Sequence, residues 1–271
     1  MSRVLPILFN TDMVRAILDG RKKVTRRCVK PQLPDACPSC KCMNVDYIYD
    51  NNVQNIYCAR CGEPFYPEKK SPYQAEDLLY VRETWSEWTD GYVYRAWTEP
   101  FPQAGCYPTT TWHPSIHMPK EAARIWLRVT DVRVERLQDM PHDGALKEGI
   151  HYCECPGGFT WKADTDIHNC YVSSMSAMEA LWNSTIKKAD LAMYGWNANP
   201  WVWVIEFERC EKPESEADIS RHIEECSLQK EYGAAGRDGN GACLGFGKPF
   251  DDEPIEQCKQ CIAYTGLEGE E

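Results

Sequence analysis

The chain has 271 residues, of which 43% are hydrophobic and 26% are charged, and its formal charge is −11. This composition is ordinary for a globular protein, and the length is enough for one large domain or two small ones. No stretch approaches about eighteen uninterrupted apolar residues and the N-terminus lacks a signal-peptide pattern, so we predict a cytoplasmic protein without a membrane partner. Fifteen cysteines in a reducing compartment favour metal binding over disulfides.

The charge is distributed unevenly along the chain. Residues 1–31 hold eight Lys and Arg against two Asp, whereas residues 205–271 hold seventeen acidic residues against seven basic ones. The acidity therefore belongs to the C-terminal segment, and the rest of the chain is close to neutral with a basic N-terminal element. The negative total does not exclude a nucleic-acid ligand.

The first predicted elements are a short strand and an amphipathic helix. Met13, Ile17 and Leu18 recur at helical spacing behind Thr11 and Asp12, either of which could cap the helix. Further along, alternation or an unbroken apolar run predicts strands at 78–81, 91–96, 125–135 and 201–207, and short helices are expected at 143–149 and 176–186. Because strands dominate, we predict an α+β, mainly β fold, built as a small β-barrel with flanking helices.

A cysteine-rich insertion interrupts the predicted barrel near residues 35–66. Cys37-x2-Cys40 is followed after seventeen residues by Cys58-x2-Cys61. Two such knuckles at this separation are typical of a structural zinc ribbon, in which each pair turns both sulfurs toward one tetrahedral ion. Cys42 is close enough to compete as a ligand, but the knuckle spacing favours Cys40.

The acidic C-terminal segment, residues 210–271, contains a second set of cysteines. They are Cys226, Cys243, Cys258 and Cys261, and only the last two have knuckle spacing. A segment of this length with little apolar content needs a cross-link, such as a bound metal ion, in order to fold. The two interpretations are a second structural zinc site and an unfolded tail with unbound thiols.

The segment after the first predicted helix holds the strongest candidates for a binding or catalytic site. Gly20 stands where a left-handed residue ends a helix, and Lys22, Thr25 and Arg27 follow it closely. On an extended strand, Thr25 and Arg27 share a face. The set could hold an anionic or carbonyl-bearing ligand, or it could be a solvated basic turn.

The pattern Gly20-x-Lys22-x-x-Thr25-x-Arg27 resembles the GxKxxExR signature of the ASCH family, which has a PUA-like β-barrel. Other stretches resemble the phage and prophage branch of that family in the same order: LLYVRETW, VYRAW, WHPSIHMPKEAARIWLRVTDVRVERLQDM, Lys147-Glu148-Gly149 and NPWVWVIEFER. The resemblance spans residues 4–209 apart from the cysteine-rich insertion. It implies recognition of RNA or of a modified nucleobase in the cytoplasm, which is the host's cytoplasm for a phage protein.

Thr25 departs from the family pattern, which has glutamate at this position. A small ASCH branch of N4-acetylcytidine amidohydrolases also has threonine there, and the resemblance assigns its catalytic residues to Lys22, Thr25 and Glu148. In that chemistry a desolvated lysine activates the threonine hydroxyl, a glutamate passes a proton to the leaving amine, and Arg27 stabilises the oxyanion or holds a carboxylate.

A domain that binds nucleic acid without catalysis needs aromatic rings for base stacking and guanidinium groups for polar contacts, and it needs no nucleophile. The chain offers these at the following candidate ligand-binding positions: Arg27, Arg82, Trp85, Tyr94, Arg95 and His117. Two further alternatives remain. His113 and His117 could act as the acid and base of a ribonuclease, and the zinc ribbon or the acidic tail could dock a protein partner in a non-catalytic adaptor.

The sequence thus predicts an ASCH-type, PUA-like domain over residues 1–209 with a zinc-ribbon insertion at 35–66, followed by an acidic appendage at 210–271. The predicted cofactor is Zn²⁺ in a structural role, at the ribbon site and, under one of the two interpretations of the C-terminal cysteines, at a second site. The predicted partner is RNA or a modified nucleoside.

Overall fold

The computed structural model describes residues 3–43, 46–51, 55–64, 70–88, 91–96, 111–155, 158–163, 170–213, 223, 225–232, 243, 245, 258 and 261. The chain divides into two compact units, Met1–Glu211 and Lys212–Glu271. The sequence places this boundary after Arg209. Most of the acidic appendage lies outside the described residues.

The described chain is a mixed α+β fold with more strand than helix. Its strands are β1 (Val4–Leu8), β2 (Val24–Cys28), β3 (Tyr47–Asp50), β4 (Asn55–Cys58), β5 (Leu78–Arg82), β6 (Trp85–Trp88), β7 (Gly91–Tyr94), β8 (Trp126–Arg136), β9 (His151–Cys155), β10 (Gly158–Lys162) and β11 (Trp201–Cys210). Its helices are α1 (Thr11–Leu18), α2 (His142–Lys147), α3 (Ser174–Thr185), α4 (Leu191–Tyr194) and, in the second unit, α5 (Ser227–Tyr232).

Five strands form the central sheet in the order β1-β5-β8-β11-β2. β1 is parallel to β5, and the other neighbours are antiparallel. A barrel needs a continuous ladder of backbone hydrogen bonds, but within the described residues β1 and β2 are free edges of the sheet. The predicted barrel is therefore corrected to an open sheet. A side chain links the edges instead, because Arg27 Nη2 donates to the Leu8 carbonyl oxygen at 2.9 Å.

Both faces of the central sheet are buried, which explains the unbroken apolar run in β11. Trp201, Trp203 and Ile205 belong to the core that also receives α1, and Val202 and Val204 belong to the core beneath α3. Residues that alternate along this strand thus fill two different cores.

Helix α1 begins after Asn10, whose side-chain oxygen accepts a hydrogen bond from the Met13 N–H at 2.9 Å. The predicted caps, Thr11 and Asp12, lie inside the helix, so that prediction is wrong. Gly20 follows the helix with a φ of 72°, which confirms the predicted left-handed stop.

The cysteine-rich insertion contains the β3–β4 hairpin and shares a core with the central sheet. The Tyr47 ring meets the Trp201 ring edge-on at a centroid distance of 5.3 Å, and Tyr49 meets Trp203 in the same way at 4.8 Å. The insertion is therefore packed onto the domain through aromatic pairs.

A second hairpin, β9–β10, is formed by residues that the sequence left irregular. Within the described part of the chain, none of the helices combines the length and apolar character needed to cross a bilayer.

Candidate metal centre and basic cavity

The four knuckle cysteines come together as the sequence predicts. The sulfurs of Cys37, Cys40, Cys58 and Cys61 all lie within 4.8 Å of one another. Two of the separations are 3.8 Å, from Cys37 to Cys61, and 3.9 Å, from Cys40 to Cys58. A tetrahedron with metal–sulfur bonds of about 2.3 Å has edges of about 3.8 Å. The cluster can therefore bind a metal ion, and its donor set is compatible with zinc.

The two knuckles have the same backbone hydrogen bonds. The Lys41 N–H donates to the Cys37 carbonyl oxygen at 3.0 Å, and the Gly62 N–H donates to the Cys58 carbonyl oxygen at 2.9 Å. Lys41 and Gly62 also share a left-handed backbone, with φ of 58° and 70°. The turn therefore demands a left-handed residue at this point, and only the second knuckle supplies glycine.

The equivalence extends one residue further along each knuckle. The Cys37 N–H donates to the Cys42 carbonyl oxygen, and the Cys58 N–H donates to the Glu63 carbonyl oxygen, both at 3.0 Å. Cys42 and Glu63 thus hold matching places, although one side chain is a buried thiol and the other is exposed. Within the cluster, the first cysteine of each knuckle is buried and the second is exposed.

The cysteines of the C-terminal unit do not form a comparable group. Among the described residues, the four ribbon cysteines are the one group of three or more Cys, His, Asp or Glu side chains whose ligand atoms are close enough to share a metal ion. Cys226, Cys243, Cys258 and Cys261 are all described, and they are not gathered in this way. Cys243 and Cys261 pack in one small cluster with Ile223, and the second zinc site stays a prediction from the sequence.

Two of the three predicted catalytic residues meet in the interior of the first unit. Lys22 Nζ donates to Glu148 Oε2 at 2.5 Å, to the Glu148 carbonyl oxygen at 3.1 Å and to the Val24 carbonyl oxygen at 2.8 Å. The Lys22 side chain is 0% exposed and that of Glu148 is 4% exposed. The ammonium group therefore has three acceptors for its three protons.

Arg26 and Glu135, which the sequence pattern does not single out, extend this pair. Arg26 Nη1 donates to Glu148 Oε1 at 3.1 Å, and Arg26 Nε donates to Glu135 Oε1 at 3.0 Å. Two cations and two carboxylates thus alternate, and Glu135 is also paired with the part-exposed Arg133 at 3.5 Å. Pairing of every charge is the condition for keeping ions buried. We call this set of four residues the buried ionic network.

Burial and charge act against each other on the pKa values of the network. Burial alone would raise the pKa of Glu148, but Lys22 and Arg26 outweigh it and hold that pKa below its usual range. Burial lowers the pKa of Lys22 against the attraction of Glu148. Because all three ammonium protons have acceptors, we conclude that Lys22 is charged and that Glu148 is ionised.

Thr25, the predicted nucleophile, is buried and lies opposite Ile205 in the β2–β11 ladder. Within the described residues its hydroxyl makes no hydrogen bond to Lys22 or to Glu148. Arg27 lies on the same face of β2, with its guanidinium 5.6 Å from the centre of the Phe9 ring.

A cavity of about 440 Å³ opens beside the start of β2. Lys22, Val24 and Phe207 contribute to its wall. The wall includes a β-bulge of β11 between Glu206 and Phe207, and the Phe207 N–H donates to the Lys23 carbonyl oxygen at 2.9 Å. The volume is in the range of small-ligand sites.

Charged side chains of both signs line this cavity besides Lys22: Lys23, Lys147, Arg209, Glu206 and Glu208. Because the cations outnumber the carboxylates, we call it the basic cavity. Lys147 is paired with Asp143 at 3.0 Å, and Glu206 is paired with Arg133 at 2.6 Å. Within the described chain, Lys23 and Arg209 have no such ion pair. They are the cations that remain available to an anionic ligand.

Of the predicted catalytic and ligand-binding residues, Lys22 alone lines the basic cavity, and Thr25, Arg27 and Glu148 do not. Trp85 and Tyr94 lie opposite each other in the β6–β7 hairpin and are buried in a small core with Met118 and Trp126. The Tyr94 hydroxyl donates to a backbone carbonyl oxygen at 2.6 Å. Their rings are core residues here, not exposed platforms for base stacking.

The remaining candidates lie around the same small core. Arg82 Nη1 donates to the Ile116 carbonyl oxygen at 3.2 Å. Arg95, His113 and His117 are exposed. The structure thus places the sequence-predicted ligand residues in two separate groups, one around Lys22 and one around Trp85.

No protein-family model, curated protein or solved structure matches this chain.

Proposed function

We propose that this protein is an ASCH-type, PUA-like domain that binds RNA or a modified nucleoside in the basic cavity beside Lys22. The observation that supports this most directly is the cavity itself, whose lining combines the available cations Lys23 and Arg209 with Phe207 and with Lys22 of the buried ionic network. Cations at the rim suit phosphate groups, and an apolar wall suits a base. The motif resemblance over residues 4–209 supports the same class of ligand.

A more specific proposal is that Lys22, Thr25 and Glu148 hydrolyse an N-acyl group of an acylated nucleoside that enters through the cavity, of which Lys22 forms part of the wall. Its support is that Lys22 and Glu148, which are 126 positions apart, meet in a direct bond. The charges we assign exchange the roles expected from the sequence. Ionised Glu148 is the group able to accept a proton, and charged Lys22 is the group able to donate a hydrogen bond to an oxyanion.

Thr25 attacks the acyl carbon in this scheme. Its hydroxyl proton passes to Glu148, the acyl C–N bond breaks, and Glu148 returns the proton to the departing amine nitrogen. Water then hydrolyses the threonine ester and releases the acid. The step requires the Thr25 hydroxyl to come within hydrogen-bond distance of Glu148 when substrate binds.

Binding is tested by titrating a fluorescent single-stranded RNA oligonucleotide into the full chain at several salt concentrations. We expect affinity to fall as salt rises. Lys23→Ala and Arg209→Ala should each weaken binding about tenfold, the value of one charge-assisted hydrogen bond. Lys188→Ala is the matched control, since this exposed lysine lies outside the cavity. Equal affinities for all four proteins would overturn the cavity as the binding site.

Hydrolysis is tested separately by following deacetylation of N4-acetylcytidine by absorbance. Turnover that is lost in Thr25→Ala, with the thermal unfolding temperature preserved, supports the amidohydrolase proposal. Binding of RNA without turnover would restrict the function to recognition. Absence of both, together with a bound protein in pull-downs, would favour the adaptor.

A further inference from the structure

The metal centre contains a fifth thiol that its fourfold geometry does not use. Cys42 Sγ lies 3.1 Å from Cys40 Sγ and 3.9 Å from Cys58 Sγ. Four sulfurs already have tetrahedral spacing, and a structural zinc site of this kind accepts four ligands. Cys42 is therefore a thiol that contacts two of the four ligand cysteines without being one of the ligands.

The fold of the knuckle does not require this thiol. Cys42 contributes its backbone carbonyl oxygen to the turn, a bond that any residue can provide. The matching place in the second knuckle is Glu63, which has no sulfur. The side chain of Cys42 is buried among apolar residues, where a small aliphatic residue would also fit. Its chemistry is thus separable from its structural contribution.

The neighbouring ligand is the one that solvent reaches. Cys40 is exposed, whereas Cys42 is buried directly beside it. An exposed cysteine of the ligand set next to a second, buried thiol is the arrangement of an oxidisable cysteine with its resolving partner.

We infer that Cys40 and Cys42 form a peroxide-sensitive dithiol, whose oxidation to a disulfide removes one zinc ligand from the ribbon. The Cys40 sulfur attacks one peroxide oxygen, the O–O bond breaks, and the leaving hydroxide takes a proton to become water. Cys42 Sγ then attacks the Cys40 sulfenic acid, so that an S–S bond forms and an S–O bond breaks. The hydroxyl leaves as a second water with the Cys42 proton. Two electrons from the two sulfurs reduce one hydrogen peroxide.

The consequence concerns the metal centre alone and does not depend on what the basic cavity binds. After oxidation, Cys37, Cys58 and Cys61 remain as ligands, and a site that is closed by four thiolates becomes one with three. Zinc affinity therefore falls, and reduction of the disulfide restores the fourth ligand.

The experiment treats the zinc-loaded full chain with hydrogen peroxide and follows zinc release with a chromogenic chelator. Cys42→Ser should release zinc about tenfold more slowly than the native chain, because the sulfenic acid has lost its nearest resolving thiol. Cys210→Ser is the matched control, since Cys210 is a part-buried cysteine at the end of β11. Dithiothreitol should return zinc to the oxidised native chain.

The disulfide can be assigned directly. Trypsin cleaves after Lys41, which lies between the two cysteines, so a Cys40–Cys42 disulfide joins two peptides that reduction separates. Fragmentation of the joined peptides identifies the linked positions. Equal release rates in the native chain and Cys42→Ser, no release from the native chain, or a disulfide that excludes Cys42 would each overturn the inference. So would failure of both Cys42→Ser and Cys42→Ala to bind zinc before oxidation, because Cys42 would then be part of the site.

Discussion

The metal centre and the buried ionic network both hold four side chains together, but they do so in opposite ways. The cysteines come from two turns within one short insertion, and their positions follow from local backbone geometry. The ionic residues come from the turn before β2, from β2 itself, from β8 and from the end of α2, and only the completed sheet brings them together. The comparison shows that spacing along the chain predicts a site when one turn sets its geometry, and not when tertiary packing sets it.

The largest expected effect is the removal of metal from the ribbon. Chelation, or Cys58→Ala, should unfold the ribbon and strip Tyr47 and Tyr49 from Trp201 and Trp203. Apparent binding energies of structural zinc exceed about 10 kcal/mol in small domains, so the loss should be large even where the sheet partly compensates. The measurement is thermal unfolding with and without a chelator, read by tryptophan fluorescence.

Stoichiometry sharpens this result. One zinc per chain, lost in Cys58→Ala, is the expected finding, with Cys210→Ser again the control. Two zinc ions per chain would show that a second metal site exists, for which the C-terminal cysteines are the predicted ligands. A chain without zinc and with unchanged unfolding would remove the structural role of the ribbon.

The next largest effect is expected from breaking the buried ionic network. Glu148→Gln leaves the buried Lys22 without a carboxylate partner and Arg26 with Glu135 alone, so it should cost about 3–5 kcal/mol of unfolding free energy. Lys22→Met should cost less, because Glu148 keeps Arg26 as a partner. Urea unfolding of the two variants beside the native chain measures both differences. An equal or larger loss for Lys22→Met would show that the Arg26 bond contributes little.

The same pair gives a pH dependence whose sign is fixed. The folded-state pKa of Glu148 is lowered, so its stabilising effect is complete above its ordinary pKa of about 4.3 and is lost as pH falls through the folded-state value. The stability difference between the native chain and Glu148→Gln should therefore shrink as pH falls from 7 to 3. A difference that stays constant would mean that the pKa of Glu148 is the same in the folded and the unfolded chain, and one that grows as pH falls would mean that the folded-state pKa is raised.

The sequence predicted those parts of the fold that depend on neighbours along the chain. The strand of alternating residues that became β8 and the apolar run that became β11 were both located, as was the stop at Gly20. The cap at Asn10 was missed because Thr11 and Asp12 are equally good capping residues. The hairpin β9–β10 was missed because cysteines and glycines obscure its alternation.

The candidate site was predictable only in part, because residues that are distant along the chain complete it. The motif around Lys22 was visible, but Arg26 stood at a variable position of that motif and Glu135 on a distant strand. Trp85 and Tyr94 have the chemistry of a stacking platform, and nothing in their spacing distinguishes that use from the core packing that the structure shows. A five-stranded sheet likewise has the same strand pattern whether its edges close or not.

The smallest expected effect distinguishes the two knuckles. Their backbone hydrogen bonds are equivalent, but the left-handed residue is a lysine in the first knuckle and a glycine in the second. Lys41 has a φ of 58° at the place where the second knuckle has Gly62. Lys41→Gly should relieve this strain and stabilise the zinc-loaded chain by less than about 1 kcal/mol, after the entropy that glycine adds to the unfolded chain. Gly62→Ala should destabilise it by about 1 kcal/mol, although a Cβ at Gly62 meets no atom within 4 Å. Opposite signs, measured by urea unfolding at saturating zinc, would establish that the turn geometry and not packing sets the preference. A shared sign would mean that the Lys41 side chain, through its Nζ bond to the Pro38 carbonyl oxygen, offsets the strain of its own backbone.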